Sequence, residues 1–347
     1  MNRPSPIEGV DQIFELGDLS LASGQTLMDA RLAYRVYGEL NAARSNLVLY
    51  PSSYGAWPED IDWVVGPILD PGRCCIVLVS QFGNGRSSSP SNGGPELVPG
   101  GWPVGHADNV RAQRRLLEEC FKVESPALIY GWSMGAQQAY HWAVLEPERS
   151  QRLCCICGTA RTTAHNRLFL LSLRQALTTD PAWNGNGFDA EPEQGLRHFA
   201  LIYASWAASQ AYYRRGGHRE LGHTDVESYV EQAWLPAYRR HDPRDLIAML
   251  DVWLACDVST AAGISSSDPE ADLAAALGRI RARCAVVAGR HDLYFPPADC
   301  AAEVALIPHA RLHMLESDLG HRAGNPSSSK AEQSQLRAVV DELLCLS

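Results

Sequence analysis

Nowhere in its 347 residues does the chain approach the roughly eighteen unbroken apolar residues that a membrane-spanning helix needs. The opening stretch, Met1 to Leu16, is polar and proline-containing and lacks an apolar core, so no secretory signal is expected there. Clustered positive charge is also scarce. The formal net charge is −10, and the longest basic groups are the pairs Arg114-Arg115, Arg214-Arg215 and Arg239-Arg240. Such pairs suit solvated helix faces and argue against a nucleic-acid or anionic-membrane partner. Missing too is the second C-x-x-C that would turn Cys154 and Cys157 into a zinc site. Ten cysteines are present, but Cys74-Cys75 and Cys154-Cys155 lie in apolar, strand-like runs, where Cys acts as a small buried hydrophobe. A reducing cytoplasm, with neither metal nor cofactor, is the expectation. No repeat or low-complexity tract interrupts the chain; the serine runs at 87–89 and 327–329 are loop signals.

What is present is ordinary globular material, 46% apolar and 20% charged, enough for one large α/β domain with an insertion or for two modest ones. Strands are expected at 32–37, alternating like a half-exposed strand, and at 46–50 and 74–79, which are short apolar runs fit for the centre of a parallel sheet. A helix from about Ala107 to Cys120 follows, then a buried strand at 127–130, a helix from Met134 to Leu145 ending before Pro147, and a strand at 152–157. From 161 onward the pattern turns helical, with several Trp and Tyr and no convincing strand. Strand signals return at 284–288 and 311–315, and a last helix spans about 331–344. The economical organisation is an α/β core formed by residues 1–160 and 277–347, interrupted by a helical insertion at 161–276.

Gly131-Trp132-Ser133-Met134-Gly135 has the form G-x-S-x-G between a buried strand and a helix start. In that setting the serine occupies a sharp turn that holds its hydroxyl above the sheet edge, and flanking glycines let backbones pass closely. The Met134 N–H, at the helix N-terminus, would face the same space and favour negative charge. A serine nucleophile needs a base, and the base needs an orienting acid, expected in the order Ser, acid, His. Asp292 directly follows the strand at 284–288, and His321 lies on the loop after the strand at 311–315. Asp318 and Asp299 are the competing acids; His291, His309 and His313 sit at a strand end, before a strand or inside one. A second oxyanion donor is expected from Pro51-Ser52-Ser53-Tyr54-Gly55, with the Ser53 N–H favoured and Ser52 or Tyr54 as one-residue alternatives.

These residues resemble the homoserine O-acetyltransferase family of the α/β-hydrolase superfamily, over most of the chain. The likeness rests on Ala33-Tyr34 through Tyr37-Gly38-Glu39-Leu40-Asn41, Asn109 to Gln113, Ser133-Met134-Gly135 with Gln138-Ala139, Trp142-Ala143 and Pro147, then Asp292-Leu293-Tyr294-Phe295-Pro296-Pro297 and Gly320-His321. It implies an α/β-hydrolase fold with a mostly parallel sheet, the same Ser133, Asp292 and His321 triad, and an insertion that forms a helical lid and helps to build a homodimer. The chain departs from the family at the substrate. Trp132 and Ala136 replace glycines, and Arg322 stands where the family has an Asp suited to homoserine's ammonium group. Arginine would repel that group and suit a carboxylate or phosphate. Water or another alcohol is therefore the expected acceptor, which makes hydrolysis of an ester or thioester the leading activity and transfer from acyl-CoA the alternative. Tyr54, Trp132 and Arg322 are the candidate substrate contacts, and lid residues Trp183, Trp206, Tyr212 and Tyr213 could shape an apolar acyl pocket.

Overall fold

The computed structural model describes residues 8–97 and 101–345, so the first seven residues of the N-terminal stretch considered above lie outside it. Eight strands form one sheet: β1 (Gln12–Ser20), β2 (Thr26–Tyr37), β3 (Leu47–Pro51), β4 (Cys75–Val79), β5 (Leu128–Trp132), β6 (Arg152–Ile156), β7 (Arg283–Gly289) and β8 (Ala310–Leu315). Their order is β1-β2-β4-β3-β5-β6-β7-β8. Antiparallel pairing is confined to β1 with β2 and β2 with β4; every later pair is parallel.

Why the central strands read as unbroken apolar runs follows from the pleat, which sends alternate residues to opposite faces. Leu47, Leu49, Cys75, Val77, Leu153 and Cys155 enter the larger core, beneath the helices His106–Leu116 and Met134–Leu145. Val48, Tyr50, Ile76, Leu78, Cys154 and Ile156 enter the second, with Leu336 and Val340 of the C-terminal helix Lys330–Cys345. Residues 32–37 alternate as a half-exposed strand does: Leu32, Tyr34 and Val36 are buried and Arg35 and Tyr37 partly exposed, with only Ala33 buried on the outer face. β1 was not anticipated, since register shifts around Gly17 break its two-residue alternation.

Between β6 and β7 the regular elements are helices, from Ala164–Thr178 to Pro269–Leu277. The chain is fastened where it leaves β6. Both carboxyl oxygens of buried Glu303, on the helix Pro297–Val304, accept from the Ala160 N–H at 3.0 and 2.8 Å. Burial pushes that carboxyl up to about 8, against the opposing pull of hydrogen bonds from Ala160 and Arg161. The folded chain thus holds this proton more tightly than the unfolded one. Its contribution to stability is complete below the ordinary carboxylate range and is lost as pH rises to about 8. Asp245, pushed up to about 7 by burial, acts with the same sign. Thermal unfolding followed from pH 6 to pH 9 is expected to show Tm falling by roughly 2–5 °C, and Glu303→Gln should flatten that slope.

Candidate active site

The strand order reverses at β3, whose neighbours are β4 and β5, so the loops leaving β3 and β5 face each other at the carboxyl edge of the sheet. Open α/β sheets place their ligand sites at such a switch point. Ser133 directly follows β5 there with φ 58° and ψ −124°, a conformation that side chains rarely adopt. Its amide is held by Ile156 of β6 at 2.8 Å. The turn closes only because nothing projects from its glycines. A Cβ on Gly131 would stand 2.3 Å from the Gly135 carbonyl oxygen, and one on Gly135 would stand 2.5 Å from the Pro51 oxygen. Both obstacles are backbone. Gly131→Ala should therefore cost more than about 3 kcal/mol of stability, seen as a large drop in the denaturation midpoint.

The structure brings the three sequence-expected side chains together. The Ser133 hydroxyl lies 2.9 Å from His321 Nε2, and His321 Nδ1 lies 2.7 Å from Asp292 Oδ2. All three residues are buried. Asp292 Oδ1 accepts from the N–H groups of Tyr294 and Phe295 at 2.8 and 3.1 Å, which fixes the carboxylate and leaves Oδ2 for the imidazole. The rival acids are placed elsewhere. Asp318 pairs with Arg215, and Asp299 belongs to the first turn of the helix Pro297–Val304.

On the facing loop, the Ser52 N–H bonds Val79 of β4 at 2.8 Å and so continues the sheet. The N–H groups of Ser53 and Tyr54, like that of Met134 across the turn, have no partner among the described residues. The Ser53 hydroxyl donates to the Trp132 carbonyl, tying this loop to the end of β5. Beneath it runs a buried relay: Trp142 Nε1 donates to Gln113 at 2.7 Å, Gln113 to Gln138 at 2.6 Å, and Gln138 to the Ser52 carbonyl at 2.9 Å. Two helices thereby set the position of a loop that neither contains.

The candidate substrate contacts fall in different places. Trp132 stacks on the His321 ring, with centroids 5.2 Å apart and planes 27° apart. Tyr54 is buried, its hydroxyl donates to the Leu246 carbonyl at 3.0 Å, and its ring stacks on Tyr203 at 5.8 Å. Arg322 donates to the Tyr229 hydroxyl at 2.7 Å and so binds the His321 loop to the helical segment. Of the four aromatics singled out between β6 and β7, Trp206 stacks on Tyr294 at 6.4 Å, whereas Trp183 packs on Phe188 at 5.0 Å, and Tyr212 and Tyr213 pack on each other at 5.3 Å. The rings nearest His321 besides Trp132 are Tyr294 at 4.6 Å and Phe295 at 5.6 Å. Their signal in the sequence was their place directly after Asp292; Tyr203, which meets Tyr294 edge-on from the helical segment, had none.

Among the described residues, Cys157, Asp292 and His321 could in principle share a metal ion, their ligand atoms lying within 4.8 Å of one another. The Nδ1–Oδ2 separation of 2.7 Å is instead that of a hydrogen bond. Two ligands of one tetrahedral ion at ordinary bond lengths stand about 3.3 Å apart. No helix of the described residues is long and apolar enough to cross a membrane.

Residues 50–323 match the family model described as alpha/beta hydrolase fold. The chain is 37% identical to the ethyl acetate hydrolase of Pseudomonas veronii, over 97% of this chain and 96% of that one. It is 28% identical to the homoserine O-acetyltransferase of Trichormus variabilis, over 87% and 86%. Among solved structures it is similar to the acetyl esterase MekB, with a TM-score of 0.90, 36% identity and 97% of each chain covered. The chain is an enzyme of the α/β-hydrolase fold family, within its homoserine O-acetyltransferase-like branch.

Proposed function

We propose that the protein is a serine esterase that hydrolyses short-chain carboxylic esters, acetyl esters foremost, through an acyl-Ser133 intermediate. The observation that carries this reading is the unbroken hydrogen-bonded chain from the Ser133 hydroxyl through His321 to Asp292, set at the sheet's switch point. His321 Nε2 takes the hydroxyl proton as Ser133 Oγ attacks the ester carbonyl. Asp292 keeps the other ring proton on Nδ1 and stabilises the imidazolium that results. The tetrahedral oxyanion accepts from the unpartnered N–H groups of Met134 and Ser53, each such donor being worth about 3–4 kcal/mol in the transition state. His321 then protonates the departing alcohol, and water, activated by the same nitrogen, releases the acid. The near-complete burial of Ser133 and His321 beneath aromatic rings favours a small acyl group. The ethyl acetate and acetyl esterases among the similar proteins support the same class.

A second reading, transfer of the acyl group from acyl-CoA to an alcohol, has the acetyltransferase likeness in its favour. One assay separates the two. With p-nitrophenyl acetate or acetyl-CoA as donor, hydrolysis should proceed at a rate that added alcohols do not raise; acceleration by an alcohol, with formation of its ester, would establish transfer instead. Exposed Leu168, Leu171 and Leu201 on the helical segment, which on this reading is a lid, support a homodimer formed through it. Light scattering of the purified protein tests that. Buried thiols such as Cys154, Cys155 and Cys157, unpaired in disulfides, suit a reducing cytoplasm.

A further inference from the structure

Five non-glycine residues among those described adopt positive φ: Asp29, Arg44, Lys122, Ser133 and Cys157. The first three are exposed: Asp29 within β2, Arg44 in a bend before β3, and Lys122 just past a helix end. Only Ser133 and Cys157 are buried, and they occupy equivalent places, each the first residue beyond the adjacent strands β5 and β6. A buried side chain held in the left-handed region costs free energy that must be compensated locally, and such positions gather at working sites.

At Cys157 this backbone, with φ 47° and its amide bonded to Val287 of β7 at 2.8 Å, turns the thiol toward the acid–base pair. Sγ lies within 4.8 Å of both the Asp292 carboxylate and the His321 ring nitrogen. The Asp292 carboxylate and the Gly289 N–H are the polar groups that act on it, and of the two only the carboxylate can accept its proton. Space for the sulfur is kept by two glycines. A Cβ on Gly289 would approach it to 3.4 Å and one on Gly324 to 3.0 Å. Burial and the charge of Asp292 both hold the thiol well above its ordinary range, so it remains S–H, a donor with no negative charge of its own.

We propose that Cys157 is a positioning residue of the esterase, its S–H donating to the Asp292 carboxylate and thereby setting how strongly that carboxylate attracts the proton on His321. The inference rests on the triad reading given above. Oδ1 is already fixed by two backbone N–H groups, so the thiol's effect is mainly on charge. Withdrawing a donor leaves more negative charge facing the imidazole and raises its hold on the proton. A residue that merely filled space would have no such effect.

The test compares Cys157→Ala and Cys157→Ser with the wild type, using p-nitrophenyl acetate across the acid limb of kcat/KM. Cys157→Ala should lower kcat at neutral pH about 3- to 10-fold with KM within about twofold, and shift the acid limb to higher pH by about 0.3–0.5. Cys157→Ser, which restores a donor, should return most of the activity and bring the limb to the wild-type position or below. A Cys157→Ala enzyme with an unmoved limb, or a Cys157→Ser enzyme more impaired than Cys157→Ala, overturns the proposal. Should the alanine variant not fold, the serine variant decides alone: a limb above the wild-type position counts against the thiol's role, and one at or below it, with activity retained, supports it. Fluorophosphonate labelling of the wild type separates the two levels of failure. An unlabelled Ser133 would overturn the esterase reading itself, whereas a labelled Ser133 with indifferent cysteine variants removes Cys157 only.

Discussion

Ser133→Ala is expected to lower kcat for p-nitrophenyl acetate by about 10⁵–10⁶-fold, to abolish fluorophosphonate labelling, and to leave substrate binding within a few-fold of wild type. The loss is this large because the hydroxyl is the only atom that can form the acyl bond, while the oxyanion donors are backbone N–H groups that the substitution leaves in place. What remains, roughly 10³–10⁴ over the uncatalysed reaction, is the share of binding and oxyanion stabilisation alone. The fold should survive. Alanine keeps the Cβ that the turn already accommodates, and the amide bond to Ile156 does not involve the side chain. An unchanged or raised Tm beside the lost activity identifies the effect as chemical. Retention of more than about 1% of wild-type kcat would remove Ser133 from the role of nucleophile.

Asp292→Asn should cost about 10⁴ in kcat while preserving the shape of the site. The reason lies in which groups face the amide. Oδ1 of the present carboxylate accepts from the N–H groups of Tyr294 and Phe295, so the oxygen of an asparagine must stay on that side. Its NH₂ then points at His321 Nδ1, which has to become an acceptor. The ring proton moves to Nε2, facing the Ser133 hydroxyl at 2.9 Å, and the base that should take the serine's proton already carries one. Stopped-flow acylation measured against pH checks this. A loss under tenfold at neutral pH would mean that the tautomer is set by some other group, and Asp292 would cease to be the orienting acid.

Both results depend on features of unequal legibility. The elbow was readable because strand, turn and helix are contiguous and each carries a local signature: buried Leu128 to Tyr130, two glycines around Ser133, and a helix that stops before Pro147. Asp292 and His321 were readable because each follows a strand in the order that this topology requires. The second oxyanion donor could be narrowed to three residues and no further, since a one-residue choice within a loop depends on hydrogen bonds to β4, far away in sequence. The bond from the Ser52 N–H to Val79 removes that alternative and leaves Ser53 and Tyr54.

The candidate substrate contacts were less legible still. Tyr54, Phe199, Tyr203, Trp253 and Tyr294 form one aromatic cluster drawn from two core loops and from helices distant from them in the chain. Aromatic residues on helices signal only that some face is buried. Arg322, whose charge suggested an anionic acceptor, proves to be bound to Tyr229 of the helical segment. Cys157 read as packing, which its burial agrees with; that its thiol meets Asp292 depends on a left-handed backbone angle that no local pattern announces.

By itself the sequence determined the parallel sheet, the helical character of the segment between β6 and β7, the serine turn, and which carboxylate and imidazole meet it. These follow from periodicity, turn chemistry and chain order, all of which act over a few residues or along a fixed topology. Tertiary structure alone decided which loop amides are free, which rings surround the imidazole, where Arg322 is committed, and what lies against Asp292. Each of those is a contact between segments distant in the chain, and its geometry is set by the packing of the whole core.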